Sequence, residues 1–473
     1  MTKLSISDLQ GFQRSSQTIF CAYAIPYRGM LLRYVIYALY VQAFESRFSS
    51  LVRFYPIGMI GGSFIMEKHI LILATTHDFL WKFEREDVKR LQRMGYIVHY
   101  ATNTLEPHYV SYQKEIQKMG VFLHHIDIAR SPFVWQDNQR ALHQLLQLIH
   151  RYSIQAIHCH TPVGGLLGRF AGKLCRDRDL IVIYTAHGFH FYKGAPLFNR
   201  SVYYQVEKIL ARYTDILIVI NQEDYQAAQT FRLKPNGLLY HIPGIGLDLD
   251  TFQPFSEQQR ESLREKQGIG KDDFFLVSIG ELNENKNQKI VLEALAEMKR
   301  RQKHLKHLRY GVCGDGFLRE RMAGWIGEMG LTENVALYGY CTDIPKILGC
   351  ADASILPSKR EGLGMAGLES LAMGVPVIAA DNRGTREYMK HGQNGFVCRH
   401  NTAEEFREGI ETIRKLDGPK KENMKALCRE SAKPFAKSHT NALMQEIYSE
   451  VSKRIERSVY EKQYKNQRHH GGI

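Results

Sequence analysis

The sequence predicts an α/β protein made of two doubly wound, Rossmann-like domains facing a central cleft. Three observations carry that prediction. From residue 66 onward, short apolar runs alternate with helical patterns. Runs such as Ile216-Leu217-Ile218-Val219-Ile220 are apolar on both faces, as strands buried in a parallel sheet must be. The series breaks once, at the turn-rich segment Pro243-Gly244-Ile245-Gly246 with Pro254 beyond it, which divides the runs into two sets.

The first set predicts strands over 70–74, 97–101, 154–158, 180–185 and 215–220. The second predicts strands over 274–279, 309–313, 335–338, 353–356 and 375–379. Between them lie helical spacings such as Val88, Leu91, Met94 and Ile290, Leu292, Leu295, Met298. A polar helix is expected from about residue 257 to 267, after the break. The domains therefore read as 66–245 and 246–435, followed by a helix and basic tail over 436–473. In sheets of this kind ligands bind at the carboxyl ends of the strands. There is no short-period repeat and no low-complexity tract before the tail.

Residues 1–65 read differently. The stretch from Leu31 to Phe44 is apolar and aromatic, but Arg33 and Gln42 interrupt it. It falls short of the roughly 20 apolar residues a bilayer-spanning helix needs. Two readings stay open. One is an amphipathic membrane-associated segment, in which Arg28, Arg33, Arg47 and Arg53 outnumber Glu45. The other is upstream sequence read in frame ahead of a natural start at Met66.

The chain has 473 residues, enough for two or three domains, with 44% hydrophobic and 24% charged residues, an ordinary globular balance. Its net charge of +14 calls for an anionic partner. No zinc-finger spacing, RNP-like motif or long Lys/Arg block is present, and Lys462, Lys465 and Arg468 give only a mildly basic tail. The expected partners are therefore a phosphorylated ligand and an anionic membrane surface, not nucleic acid. The eight cysteines, several within apolar runs and none in a C-x-x-C pair, read as reduced core thiols of a cytoplasmic protein. His158-Cys159-His160 has the residue types of a metal site, but alternate residues on one strand need further ligands, and no metal is expected there.

The chemistry is concentrated at strand ends. Arg360-Glu361-Gly362-Leu363-Gly364-Met365-Ala366-Gly367-Leu368-Glu369 follows the strand ending at Leu356 and opens a helix. Its two carboxylates can accept hydrogen bonds from sugar hydroxyls. Its glycines let the backbone approach a ligand, and the helix start offers free N–H groups to a diphosphate.

This segment resembles the Glu-x7-Glu motif of the retaining family 4 glycosyltransferases, which have the two-domain GT-B fold. The resemblance runs from about residue 66 to about 450, nearest to exopolysaccharide and capsular polysaccharide transferases. It implies that Glu369 binds the nucleotide ribose, that Glu361 contacts the transferred sugar as a catalytic residue, and that the backbone of Leu363, Gly364 and Met365 cradles the diphosphate. Ser278-Ile279-Gly280-Glu281-Leu282-Asn283-Glu284-Asn285-Lys286 resembles the family's loop at the start of the second domain. There Gly280 and Lys286 would serve the donor. The family often carries an Arg directly after that glycine; this chain has Glu281, and Arg360 or Lys359 is the candidate replacement for the missing charge. Cys313-Gly314-Asp315-Gly316 resembles the family's glycine-rich turn near the nucleotide, which makes Gly314 and Gly316 donor-side residues.

On the first domain, Thr185-Ala186-His187-Gly188-Phe189-His190 after the predicted fourth strand resembles the family's histidine loop. His187 is the expected catalytic-centre histidine, a neutral imidazole hydrogen-bonding the donor sugar. His190, His160 and the glycines Gly164 and Gly165 are acceptor-side candidates. The first loop, Thr75-Thr76-His77-Asp78, stands where relatives often carry glycines.

The resemblance implies an enzyme of hexosyltransferase type. It would move a sugar from a nucleotide diphosphate sugar, UDP by resemblance, to a polyprenyl-diphosphate-linked or saccharide acceptor in cell-surface polysaccharide synthesis. It implies no cofactor and no metal; Asp248-Leu249-Asp250 lies in the interdomain connection, away from the strand ends that would hold one. The expected place is the cytoplasm, peripheral at the inner face of the membrane. Two rivals differ in class. A dinucleotide oxidoreductase needs G-x-G-x-x-G after the first strand, which Ala74-Thr75-Thr76-His77-Asp78-Phe79 lacks. A non-catalytic nucleotide-sugar or polysaccharide-binding subunit would not need Glu361, Glu369, Lys286 and His187 together.

Overall fold

The computed structural model describes residues 67–105, 111–175, 178–191, 197–302 and 305–470. By contacts the chain divides into two units, Met1–Ile65 with Ala195–Val202, and Met66–Gly194 with Tyr203–Ile473. Both readings of residues 1–65 lie outside the described residues. The second unit holds both sheets.

Its two sheets are wholly parallel. The first contains β1 (Lys68–Thr76), β2 (Tyr96–Asn103), β3 (Phe122–His125), β4 (Ala156–Cys159), β5 (Ile181–Ala186), β6 (Ile216–Val219) and β7 (Leu238–His241), in the order β3-β2-β1-β4-β5-β6-β7. The second contains β8 (Phe274–Ile279), β9 (Leu308–Cys313), β10 (Val335–Gly339), β11 (Ala353–Leu356), β12 (Val377–Ala380) and β13 (Gly395–Cys398), in the order β10-β9-β8-β11-β12-β13. Each order reverses once, between β1 and β4 and between β8 and β11, and those switch points are where a doubly wound sheet opens its ligand crevice.

The central strands are dry. Ile70, Leu71, Ile72 and Leu73 of β1 are all 0% exposed, because helices cover both faces of the sheet. At about 2–5 kcal/mol for each such Leu or Ile cut back to Ala, this packing far outweighs any surface contact. The ten predicted strands are present. The three that were missed, β3, β7 and β13, are all sheet edges. The loop bearing His187 therefore follows the fifth strand, not the fourth as the sequence suggested.

The chain crosses between the lobes twice, and the crossings lie side by side. Leu247 donates its N–H to Phe435 O at 2.7 Å, and Lys437 donates to Leu247 O at 2.8 Å. The last helix, Lys437–His470, then returns to the first lobe. There Tyr448 Oη hydrogen-bonds His158 Nδ1 at 2.8 Å, Tyr96 Oη meets Ser452 Oγ at 2.8 Å, and Lys68 pairs with Glu456 at 2.8 Å. Among the described residues no helix is long and apolar enough to cross a membrane. The described cysteines are all free, and all but the half-buried Cys341 are buried.

Candidate active site

Every chemistry-bearing residue picked from the sequence sits at or just beyond the carboxyl end of a strand or in the first turns of the helix after it. Gly280 directly follows β8, Gly314 follows β9, and Glu361 lies in the loop after β11. On the other lobe His160 directly follows β4 and His187 directly follows β5.

The donor side is built from two interlocked loops. Asn283 Oδ1 accepts from Asn285 N at 3.0 Å and from Lys286 N at 2.9 Å, a side chain closing its own turn. Asn285 then donates to Arg360 O at 2.9 Å, while Lys359 N donates to Asn285 O at 2.8 Å. This braces Lys286 against the Glu361 loop. The Lys286 ammonium lies 2.6 Å from Glu361 Oε1, a half-buried ion pair that the sequence did not suggest. The helix Met365–Ala372 starts at Gly364, whose φ of +84° is left-handed and disfavours a side chain. No side chain caps that start, so its N–H groups point outward with the positive end of the helix dipole. A small cavity of about 10 Å³ lies between Lys286, Glu361, Gly364 and Ala366.

Glu369 is one turn further on, with burial raising its carboxyl to about 7. It lines two larger cavities. One, about 1060 Å³, is the open cleft between Thr75, Asp78 and Thr161 on the first lobe and Gly280, Glu281, Gly314 and Tyr340 on the second. The other, about 300 Å³, is lined by His158, Thr185, His187, Met365 and Glu369.

His187 is neutral at physiological pH, because burial pushes its imidazole down to about 4. Its Nε2 shares a 3.1 Å hydrogen bond with Nδ1 of the fully buried His160, which lies 3.5 Å from Glu84 Oε1. Burial also raises the Glu84 carboxyl to about 8. Glu84, His160 and His187 have ligand atoms within 4.8 Å of one another, the one such group among the described residues that could hold a metal ion.

Several assignments shift. His160 reaches His187, not the open cleft. Gly164 and Gly165 are buried in the helix Pro162–Leu174, and a Cβ on Gly165 would come within 2.3 Å of the Tyr184 ring. There they let that helix pack closely on the sheet. His190 is half-buried with its ring 5.3 Å from that of Tyr203, and burial lowers its imidazole to about 4. The Leu363 side chain is buried, facing the interlobe connection: a Cβ on Gly244 would meet it at 2.3 Å. Gly316 packs on the backbone of Leu282, at 2.4 Å from a would-be Cβ. Glu281 has an exposed side chain on the cleft wall, which Lys359 and Arg360 do not line. Sequence reasoning missed Glu84, which no motif contains, and Asp224 and Arg383, described below.

Comparisons with known proteins agree with this fold. The family model for glycosyl transferase 4-like proteins matches residues 69–221, and the model for glycosyl transferases group 1 matches residues 259–431. The chain is 40% identical over 387 residues to EpsD of Bacillus subtilis (strain 168), named as a glycosyltransferase, across 81% of this chain and 97% of that protein. It is 28% identical over 271 residues to the Escherichia coli UDP-Gal:alpha-D-GlcNAc-diphosphoundecaprenol alpha-1,3-galactosyltransferase, across 57% of this chain and 68% of that enzyme. Among solved structures, Anabaena HepE in complex with UDP and glucose matches with a TM-score of 0.65 at 19% identity, over 81% of this chain and 100% of that one. Sucrose-phosphate synthase from Thermosynechococcus elongatus matches with a TM-score of 0.66 at 17% identity, over 81% of this chain and 99% of that one. Two GT-B lobes, both matched by family models, and a 40% identical relative along most of the chain lead to one conclusion: this protein is an enzyme of glycosyltransferase family 4.

Proposed function

We propose that the enzyme is a retaining hexosyltransferase that moves a sugar from a UDP-sugar to a polyprenyl-diphosphate-linked or saccharide acceptor in cell-surface polysaccharide synthesis. The observation that carries this reading is the convergence of Lys286, Glu361, Glu369 and an uncapped helix start at one strand switch point, with His187 across the cleft. UDP as the nucleotide is supported by the UDP-Gal in the name of the E. coli relative and by the UDP in the HepE complex. A lipid-linked acceptor is supported by the diphosphoundecaprenol in that E. coli enzyme's name.

In this reading the ribose hydroxyls bond to the ionised Glu369. The diphosphate lies on the helix start at Gly364–Met365 and draws Lys286 away from Glu361. Glu361 is then free to accept hydrogen bonds from the sugar. As the bond from the anomeric carbon to the diphosphate breaks, negative charge grows on the leaving group, where Lys286 and the helix dipole already point. His187 donates or accepts one hydrogen bond to the sugar as a neutral imidazole. Retention follows the family pattern. No divalent metal enters this mechanism: His160 and His187 act as a hydrogen-bonded pair with Glu84 beside them, not as a metal centre. The net charge of +14 favours contact with anionic lipid at the inner face of the membrane.

The test is transfer of radiolabel from a panel of UDP-sugars into the lipid extract of bacterial membranes. Wild type should label the extract with one sugar, unchanged by EDTA. Lys286→Ala should lower the rate by about 10²–10³, the usual cost of one well-aimed charge contact. Tight UDP binding with no transfer of any sugar would contradict the reading.

A further inference from the structure

A buried ion pair joins the two lobes behind the cleft. Asp224 lies on the helix Gln222–Ala228 of the first lobe, and Arg383 lies in the turn after β12 of the second. Their side chains are 1% and 4% exposed, and Asp224 Oδ1 is 2.8 Å from Arg383 Nη1. Each partner also holds the backbone of a loop that carries a site residue. Phe189 N, two residues beyond His187, donates to Asp224 Oδ2 at 3.0 Å. Arg383 Nε donates to the carbonyl of Glu361 itself at 3.3 Å. Asn221 Nδ2 spans the same gap, donating to Asp224 Oδ2 at 2.9 Å and to Gly362 O at 3.0 Å.

These bonds press the two loops together. A Cβ on Gly362 would stand 2.1 Å from His187 O, and one on Gly188 would stand 2.6 Å from Arg383 Nη2. So the backbones bearing His187 and Glu361 touch, and the ion pair sits directly behind the contact. Stability alone is a poor reason for such a pair, because well-packed apolar residues commonly do as well in the same space. What an apolar pair could not do is fix both loops by directed hydrogen bonds.

We propose that Asp224 and Arg383 are positioning residues: a chain of bonds from Phe189 N through Asp224 and Arg383 to Glu361 O holds the His187 loop and the Glu361 loop in register across the cleft. The inference rests on the proposed placement of the sugar between His187 and Glu361. Losing this register displaces one catalytic group relative to the other, and an error of about 1 Å in such placement costs about 10²-fold in rate. The nucleotide, held by the second lobe alone, should not notice.

The experiment compares wild type with Arg383→Met, Arg383→Lys and Asp224→Asn. Four readouts are taken: kcat, donor KM, UDP affinity by calorimetry, and the radius of gyration with UDP bound by small-angle X-ray scattering. Arg383→Met should lower kcat by about tenfold to a hundredfold, with KM and UDP affinity held within about threefold. Its radius of gyration should exceed that of wild type, and Arg383→Lys should recover part of the loss. Asp224→Asn keeps the shape and most hydrogen bonds, so it tests the same point if Arg383→Met does not fold; its kcat should fall while UDP still binds. Wild-type kcat in Arg383→Met, or a loss of UDP binding that matches the loss of kcat, would overturn the proposal. If wild type transfers no sugar at all, the proposed function has failed instead. The scattering comparison then still decides whether this chain of bonds holds the two lobes together, since equal radii for wild type and Arg383→Met would overturn it.

Discussion

Lys286 and Glu361 already neutralise each other at 2.6 Å, so a donor diphosphate has to take the lysine over from a carboxylate. That exchange costs little here, because the pair is half-buried and water reaches both partners. Glu369 is different. Burial raises its carboxyl to about 7, so it holds its proton up to that pH in the free enzyme. Only the ionised form offers both of its oxygens as acceptors to a ribose diol. UDP affinity should therefore be level above pH 7 and weaken below it, approaching tenfold per pH unit at the acid end. Calorimetry across pH 5–8 checks this, and Glu369→Gln should bind weakly with no slope. The spacing of the two glutamates made both legible in the sequence. The pairings of Lys286 and Arg383 were not, since the two ends of each lie 75 and 159 residues apart and only the strand order brings them together.

The elements show the same boundary between what sequence pattern carries and what it does not. Central strands read clearly, because burial on both faces forces an unbroken apolar run. The edges β3, β7 and β13 did not: Phe122-Leu123-His124-His125 is half-exposed and has lost the pattern. Gly164 and Gly165 looked like a ligand loop, yet they face packed neighbours, Gly164 the carbonyl of Leu73 and Gly165 the ring of Tyr184. A glycine pair after a strand fits either role, and only the packing separates them. The last helix is the clearest gain from the structure, for its buried face belongs to the first lobe. Tyr448 is 0% exposed and bonds to His158 across 290 residues of chain. Tyr448→Ala should therefore destabilise the first lobe by about 3–5 kcal/mol, read as a lowered midpoint in thermal or urea unfolding. A change within about 0.5 kcal/mol would show that the helix is only draped on the surface.

At the scale of the whole molecule, two sheets with the same kind of switch point face each other, one offering His187 and the other Lys286, Glu361 and Glu369. The fold class and the break between the sheets were readable from periodicity and one turn-rich segment. The interlobe contacts were not, because they join residues with no shared pattern. The proposed chemistry stands or falls on whether the β8–β11 switch point binds the donor's diphosphate. A crystal structure with UDP bound decides this most directly. It should show the diphosphate at the start of the helix Met365–Ala372, Lys286 swung from Glu361 onto a phosphate oxygen, and the ribose on Glu369. UDP bound elsewhere, or bound there with the Lys286–Glu361 pair intact and no phosphate at the helix start, would contradict it.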